Sequence, residues 1–232
     1  MKRTSSFSAA PTGRETVSGF VYLVFQILFL PRLLHWCNGA LGGTLNSAEV
    51  NFVYYLVNFI AILLIFHTFL GRNLNQATQH PAYFCQAVIL GLAAYYACSY
   101  VTSRAVSLLV PGFRNYNNEA VSAMAGSQFF MTAVVTVILA PPVEECLYRG
   151  LIFRNLYGKS RWAAYILSIL AFAMIHIIGY IGRYSALELL MAFLQYLPAG
   201  LCLAWTYTKS GTVYAPIVVH AAINALTIGL LR

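Results

Sequence analysis

The sequence predicts an all-α fold, a polytopic transmembrane bundle of about seven membrane helices. Three observations lead there. Hydrophobic residues make up 60% of the 232 and charged residues only 9%, with a mean hydropathy of +0.71. The apolar residues fall into runs near the roughly 20 that a bilayer requires. The stretches between runs are too short for a soluble domain, so one domain is expected, a polar cytoplasmic tail over 1–16 followed by a single membrane domain over 17–232.

Taken in order, the first run extends from about Val17 to Trp36. It is too long for a signal peptide and no small-residue cleavage site follows it, so it reads as a retained membrane helix. Further runs cover about Asn51 to Leu70 and Pro81 to Val101, with His67 and His80 near the loop that joins them. Tyr54, Tyr55, Tyr83, Tyr95, Tyr96 and Tyr100 read as packing and interface-belt aromatics. Residues 102–125 form the longest polar connection, a loop with room for a short surface helix. The fourth run, about Gln128 to Ala140, ends at Pro141-Pro142 and resumes through Phe153, which predicts one long element broken or kinked at Pro141. Trp162 to Tyr180, Ala186 to Tyr207 and Thr212 to Leu231 complete the set.

The formal net charge of +8 is scattered among the loops, which argues for orientation and anionic-lipid contact and against nucleic acid. With the N-terminus inside, Lys2, Arg3, Arg14, Arg72, Arg149, Arg154, Lys159, Arg161 and Lys209 are cytoplasmic, while Arg32, Arg104, Arg114, Arg183 and Arg232 are external. The bias follows the positive-inside rule. Cys37, Cys85, Cys98, Cys146 and Cys202 form no CxxC pair and read as small packing residues.

The chemistry concentrates in residues 141–231. Only six acidic residues occur in the chain, and Glu144 and Glu145 stand side by side between apolar runs. As an ordinary helix start, Pro-Pro-Val-Glu-Glu would place two carboxylates at a positive helix end. Depth argues otherwise. At 1.5 Å per residue, His176, His220 and Glu144 lie roughly 21, 12 and 20 Å from the cytoplasmic face, within one hydrocarbon core. Ionisable groups at that depth are costly and mark function. Glu145 and Arg149 share a helical face four residues apart and can neutralise one another, which leaves Glu144 to meet His176 and His220. Taken alone, His176 could simply hydrogen-bond a carbonyl between helices. His220 and Asn224, one turn apart, present polar groups from one face and suit either a helix–helix bond or a donor pair for a substrate carbonyl.

Glu144-Glu145-x-x-x-Arg149-x-x-x-Phe153, then Phe172-x-x-x-His176, then His220-x-x-x-Asn224, resemble in order and type the three motifs of the CPBP family of intramembrane endopeptidases, the CAAX proteases and bacteriocin-processing enzymes. The resemblance spans about residues 128–231. It implies a glutamate-dependent membrane endopeptidase in which Glu144 and His176 activate a water and His220 and Asn224 stabilise the oxyanion, with Glu145 and Arg149 in support. The expected partners are a membrane-associated peptide or protein substrate and the lipid bilayer. No cofactor is expected. The small size points to a prokaryotic plasma membrane, with a leader or signalling peptide as first substrate. Three alternatives remain at this stage. One is a metalloprotease with Glu144, Glu145, His176 and His220 on a divalent metal; the others are a non-catalytic scaffold or immunity protein of the same fold, and a transporter.

Overall fold

The computed structural model describes Phe7 and residues 10–230. Among these there are ten helices, one short 3-10 turn at Ile178–Tyr180 and no strand, which makes the protein an all-α membrane bundle. We label them α1 (Gly13–Leu28), α2 (Leu30–Ala40), α3 (Ser47–Ile65), α4 (His67–Gln79), α5 (Pro81–Leu109), α6 (Tyr116–Ser127), α7 (Phe129–Tyr157), α8 (Arg161–Ile175), α9 (Ala186–Ser210) and α10 (Tyr214–Gly229).

Helix starts account for half of the acidic residues. Thr12 with Glu15, Asn46 with Glu49 and Ser185 with Glu188 form reciprocal capping boxes at the first turns of α1, α3 and α9, each satisfying backbone N–H groups that a helix leaves unpaired. Glu15 also accepts from the backbone N–H of Phe69 at 2.8 Å and so ties α4 to α1. Glu119 faces Arg114 across 3.6 Å at the surface, where a pair adds little. Of the six, only Glu144 and Glu145 lack such a local purpose.

By length and composition α3, α5, α7 and α9 can each cross a membrane, and α1 with α2, bent by 48° at Phe29, makes a fifth if the bent pair is one span and not a re-entrant loop. The helices α8 and α10 occupy the places expected for two further crossings, but at 15 and 16 residues they fall short of a full span. Several other expectations change. Helix α1 begins at Gly13, inside the expected tail. The connection holding His67 is the helix α4. Arg149, counted among the cytoplasmic loop charges, is fully buried, so removing it narrows the charge bias; Lys2, Arg3 and Arg232 lie outside the described residues.

Helix α7 is one long element, as expected, and it is not broken at Pro141: it runs helical through both prolines, with π-helical turns over Val134–Leu139 and Cys146–Phe153 on either side. A π turn reaches back five residues instead of four, so the ladder shifts its partners around the missing N–H groups and the axis need not break. Helix α7 is also the central element, with half of its apolar window buried against 11% for α5 and 17% for α3. One side of α7, with Val143, Leu147 and Leu151, packs on Ile62, Phe66 and Phe69. Another brings Tyr148 against Phe172, Leu203 and Val219. Leu64, Leu108, Phe130 and Trp162 point outward and are largely exposed, as lipid-facing residues of a bundle are.

Candidate active site

Glu144 and Glu145 leave α7 about 100° apart and meet different helices. Glu145, with no exposed surface, is the junction of a buried network. Its Oε1 accepts from Arg149 NH1 at 3.1 Å and from His220 Nδ1 at 2.9 Å. Arg149 donates its second terminal nitrogen to the Gly200 carbonyl at 3.0 Å and lies 4.5 Å over the Phe172 ring. The guanidinium thus joins α7, α8 and α9 through a planar fork that a lysine ammonium lacks. Gly200 is small for a reason: a Cβ there would stand 3.0 Å from the Ile169 side chain, so glycine lets α8 and α9 approach.

Glu144 faces the two imidazoles. Its Oε2 lies 3.8 Å from His176 Nε2 and 4.0 Å from His220 Nε2, and has no hydrogen-bond partner among the described residues. The other nitrogen of each ring fixes its tautomer. His176 Nδ1 sits 2.7 Å from the Phe172 carbonyl and His220 Nδ1 against the Glu145 carboxylate. Both partners are acceptors, so each neutral ring carries its proton on Nδ1 and presents an Nε2 lone pair toward Glu144. Three acceptors therefore converge, an arrangement that suits one small donor between them. The His176 ring is held further by stacking on Tyr196 at 4.2 Å, whose hydroxyl accepts from Asn117 at 3.0 Å.

Asn224 is placed differently from its two neighbours in this centre. Its amide nitrogen donates to the Thr136 carbonyl at 2.7 Å, and the π turn explains why that carbonyl is available. The Ala140 N–H, its ordinary α partner, is spent on Val135, and Pro141, the π partner, has no N–H. Asn224 replaces the donor that Pro141 lacks. Asn224→Ala should therefore lower stability by about 0.5–1.5 kcal/mol, the net worth of a partly buried hydrogen bond. In a Pro141→Ala background, which restores a backbone donor, the same substitution should cost clearly less; equal costs in both backgrounds would refute the pairing.

The structure thus brings Glu144, His176 and His220 to one point, places Glu145 and Arg149 behind them, and turns one amide hydrogen of Asn224 toward α7. Sequence reasoning missed Tyr55, whose hydroxyl donates to Glu144 Oε1 at 3.1 Å, together with Tyr196, Gly200 and Thr136. Nothing near Tyr55 in the chain separates it from its neighbour Tyr54.

An all-α membrane protein with a buried glutamate–histidine centre is the class that fold and site define. Residues 126–226 match the model of the family described as type II CAAX prenyl endopeptidase Rce1-like, in keeping with the CPBP resemblance carried by the motifs. All of the site residues taken from the motifs lie within it. The UPF0177 protein YbdI of Lactococcus lactis subsp. lactis (strain IL1403) is 30% identical over 95 residues, 41% of this chain and 46% of that protein. The chain thus matches about half the length of this curated relative. No solved structure matches.

Proposed function

We propose that the protein is an intramembrane endopeptidase that hydrolyses membrane-associated peptides or proteins, with a water activated by Glu144 and His176. The observation that carries this reading is the convergence of Glu144 Oε2 with two imidazole Nε2 lone pairs inside an apolar bundle. A water donating to Glu144 Oε2 and His176 Nε2 has its oxygen lone pair free to attack a carbonyl carbon. The water's proton passes to Glu144 and then to the leaving amine nitrogen. The developing oxyanion takes the second amide hydrogen of Asn224 as a donor, and His220 can add an Nε2–H only after its ring binds a second proton. Glu145 orients the His220 ring through Nδ1, and Arg149 balances Glu145.

No metal or cofactor enters this chemistry. The test is to compare membrane peptides from cells carrying the parent protein or the Glu144→Gln form, with a farnesylated CAAX peptide as the first purified probe because of the family match. Products specific to the parent protein are expected, and EDTA should leave their rate of formation unchanged. Loss on chelation with recovery on added zinc would replace this reading by a metal-dependent protease. Identical peptide sets from the two forms would favour a non-catalytic scaffold.

A further inference from the structure

We infer that Tyr55 is a positioning residue for the reaction, one that makes Glu144 a base through a single chosen oxygen. The inference rests on the reading of Glu144 as the base and extends it to α3, outside the segment 126–226 that the family match covers. A carboxylate has two equivalent oxygens and can rotate to present either one. In this site the two differ. Oε1 accepts the Tyr55 phenol at 3.1 Å, while Oε2 has no hydrogen-bond partner and faces both imidazole nitrogens. With Oε1 engaged, the carboxylate plane is fixed and Oε2 is held where the water must give up its proton.

A buried phenol needs a partner in any case, so packing alone already calls for some bond here. Its neighbour Tyr54 shows what packing alone provides. Tyr54 meets Tyr55 edge to face at 5.2 Å, and its own hydroxyl donates to the Gln26 carbonyl at 3.3 Å, tying α3 to α1 without touching the site. Two adjacent tyrosines on one apolar helix thus separate into a structural bond and a bond to the reacting carboxylate. Tyr55 does not touch the substrate's reacting atoms and acts through Glu144.

The test uses the full-length protein reconstituted in phosphatidylethanolamine–phosphatidylglycerol vesicles, with the Glu144-dependent cleavage product as readout. Tyr55→Phe keeps the ring and removes the donor. The expected result is a kcat lowered by about 10- to 100-fold, the range for a displaced reacting group, with KM within about twofold of the parent value, as for an interaction that matters only in the transition state. Tyr54→Phe should leave kcat unchanged. A parent-like kcat for Tyr55→Phe, or a loss in KM alone, overturns the inference while Glu144 remains the base; absence of any Glu144-dependent product instead removes the reading on which it rests. Should Tyr55→Phe fold poorly, 3-fluorotyrosine at position 55 preserves shape and alters only the donor strength of the O–H. It should change kcat by about twofold or more with unchanged KM, in the manner of a Brønsted-sensitive proton transfer, and an unchanged kcat would overturn the inference.

Discussion

Glu144→Gln should abolish the proposed cleavage while leaving the protein folded. Glutamine keeps the volume of the side chain and can still accept from Tyr55 through its amide oxygen, so the bundle around it is preserved. It cannot take a proton, and loss of a general base typically costs about 10²-fold or more in rate. The amide would also direct an N–H where the carboxylate presented Oε2, filling with a donor the place that three acceptors share. His176→Ala should lose activity to a similar extent, because Oε2 then lacks the nearer of its two imidazoles. The measurement is the rate of product formation in reconstituted vesicles, with thermal unfolding in detergent as the check on folding. Full processing by Glu144→Gln, in a cell without the parent enzyme, would remove the catalytic assignment.

Arg149→Ala should fail at the level of the fold. The guanidinium is completely buried and makes bonds to Glu145 and to the Gly200 carbonyl. Removing it leaves Glu145 as a buried carboxylate with His220 alone, and breaking such a pair costs about 3–5 kcal/mol. Set against a total stability of about 5–15 kcal/mol, that loss is a large fraction. Folded yield and melting temperature should both fall, and activity with them. Arg149→Lys should rescue only in part, since an ammonium on a flexible stem does not reproduce the fork that reaches two helices. Normal yield and thermal stability of Arg149→Ala would show that the network does not hold the bundle together.

Much of this centre was legible in the chain. Glu145 with Arg149, and His220 with Asn224, are each separated by four residues, and helical periodicity alone puts such pairs on one face. The cost of charge within apolar runs singled out Glu144, and the comparable depths of His176 and His220 brought them to it. What periodicity does not carry is the rotation of one helix against another. Tyr55 and Glu144 are 89 residues apart, and Asn224 and Thr136 are 88 apart. A rotation of α3 by one residue position, about 100°, would turn Tyr54 or Leu56 toward the site in place of Tyr55.

Pro141 illustrates the same division within a single helix. The missing N–H is certain from the residue type, and a kink is the ordinary consequence. Whether the chain bends or shifts its hydrogen bonds depends on what stands beside it. Here π turns on both sides and the Asn224 amide take up the loss.

The sequence by itself determined that the protein is a bundle of membrane helices, and it pointed to two carboxylates and two histidines within the apolar part of it. Those conclusions follow from terms that are local and additive along the chain: apolar length against bilayer thickness, the cost of burying charge, and the 3.6-residue repeat. Only the tertiary structure decided that Glu145 holds Arg149 and His220 while Glu144 is left to Tyr55 and two lone pairs, and that one amide hydrogen of Asn224 serves a backbone carbonyl. Such assignments hang on hydrogen-bond geometry that fails within a fraction of an ångström or a few tens of degrees. That precision is set by the packing of whole helices against one another.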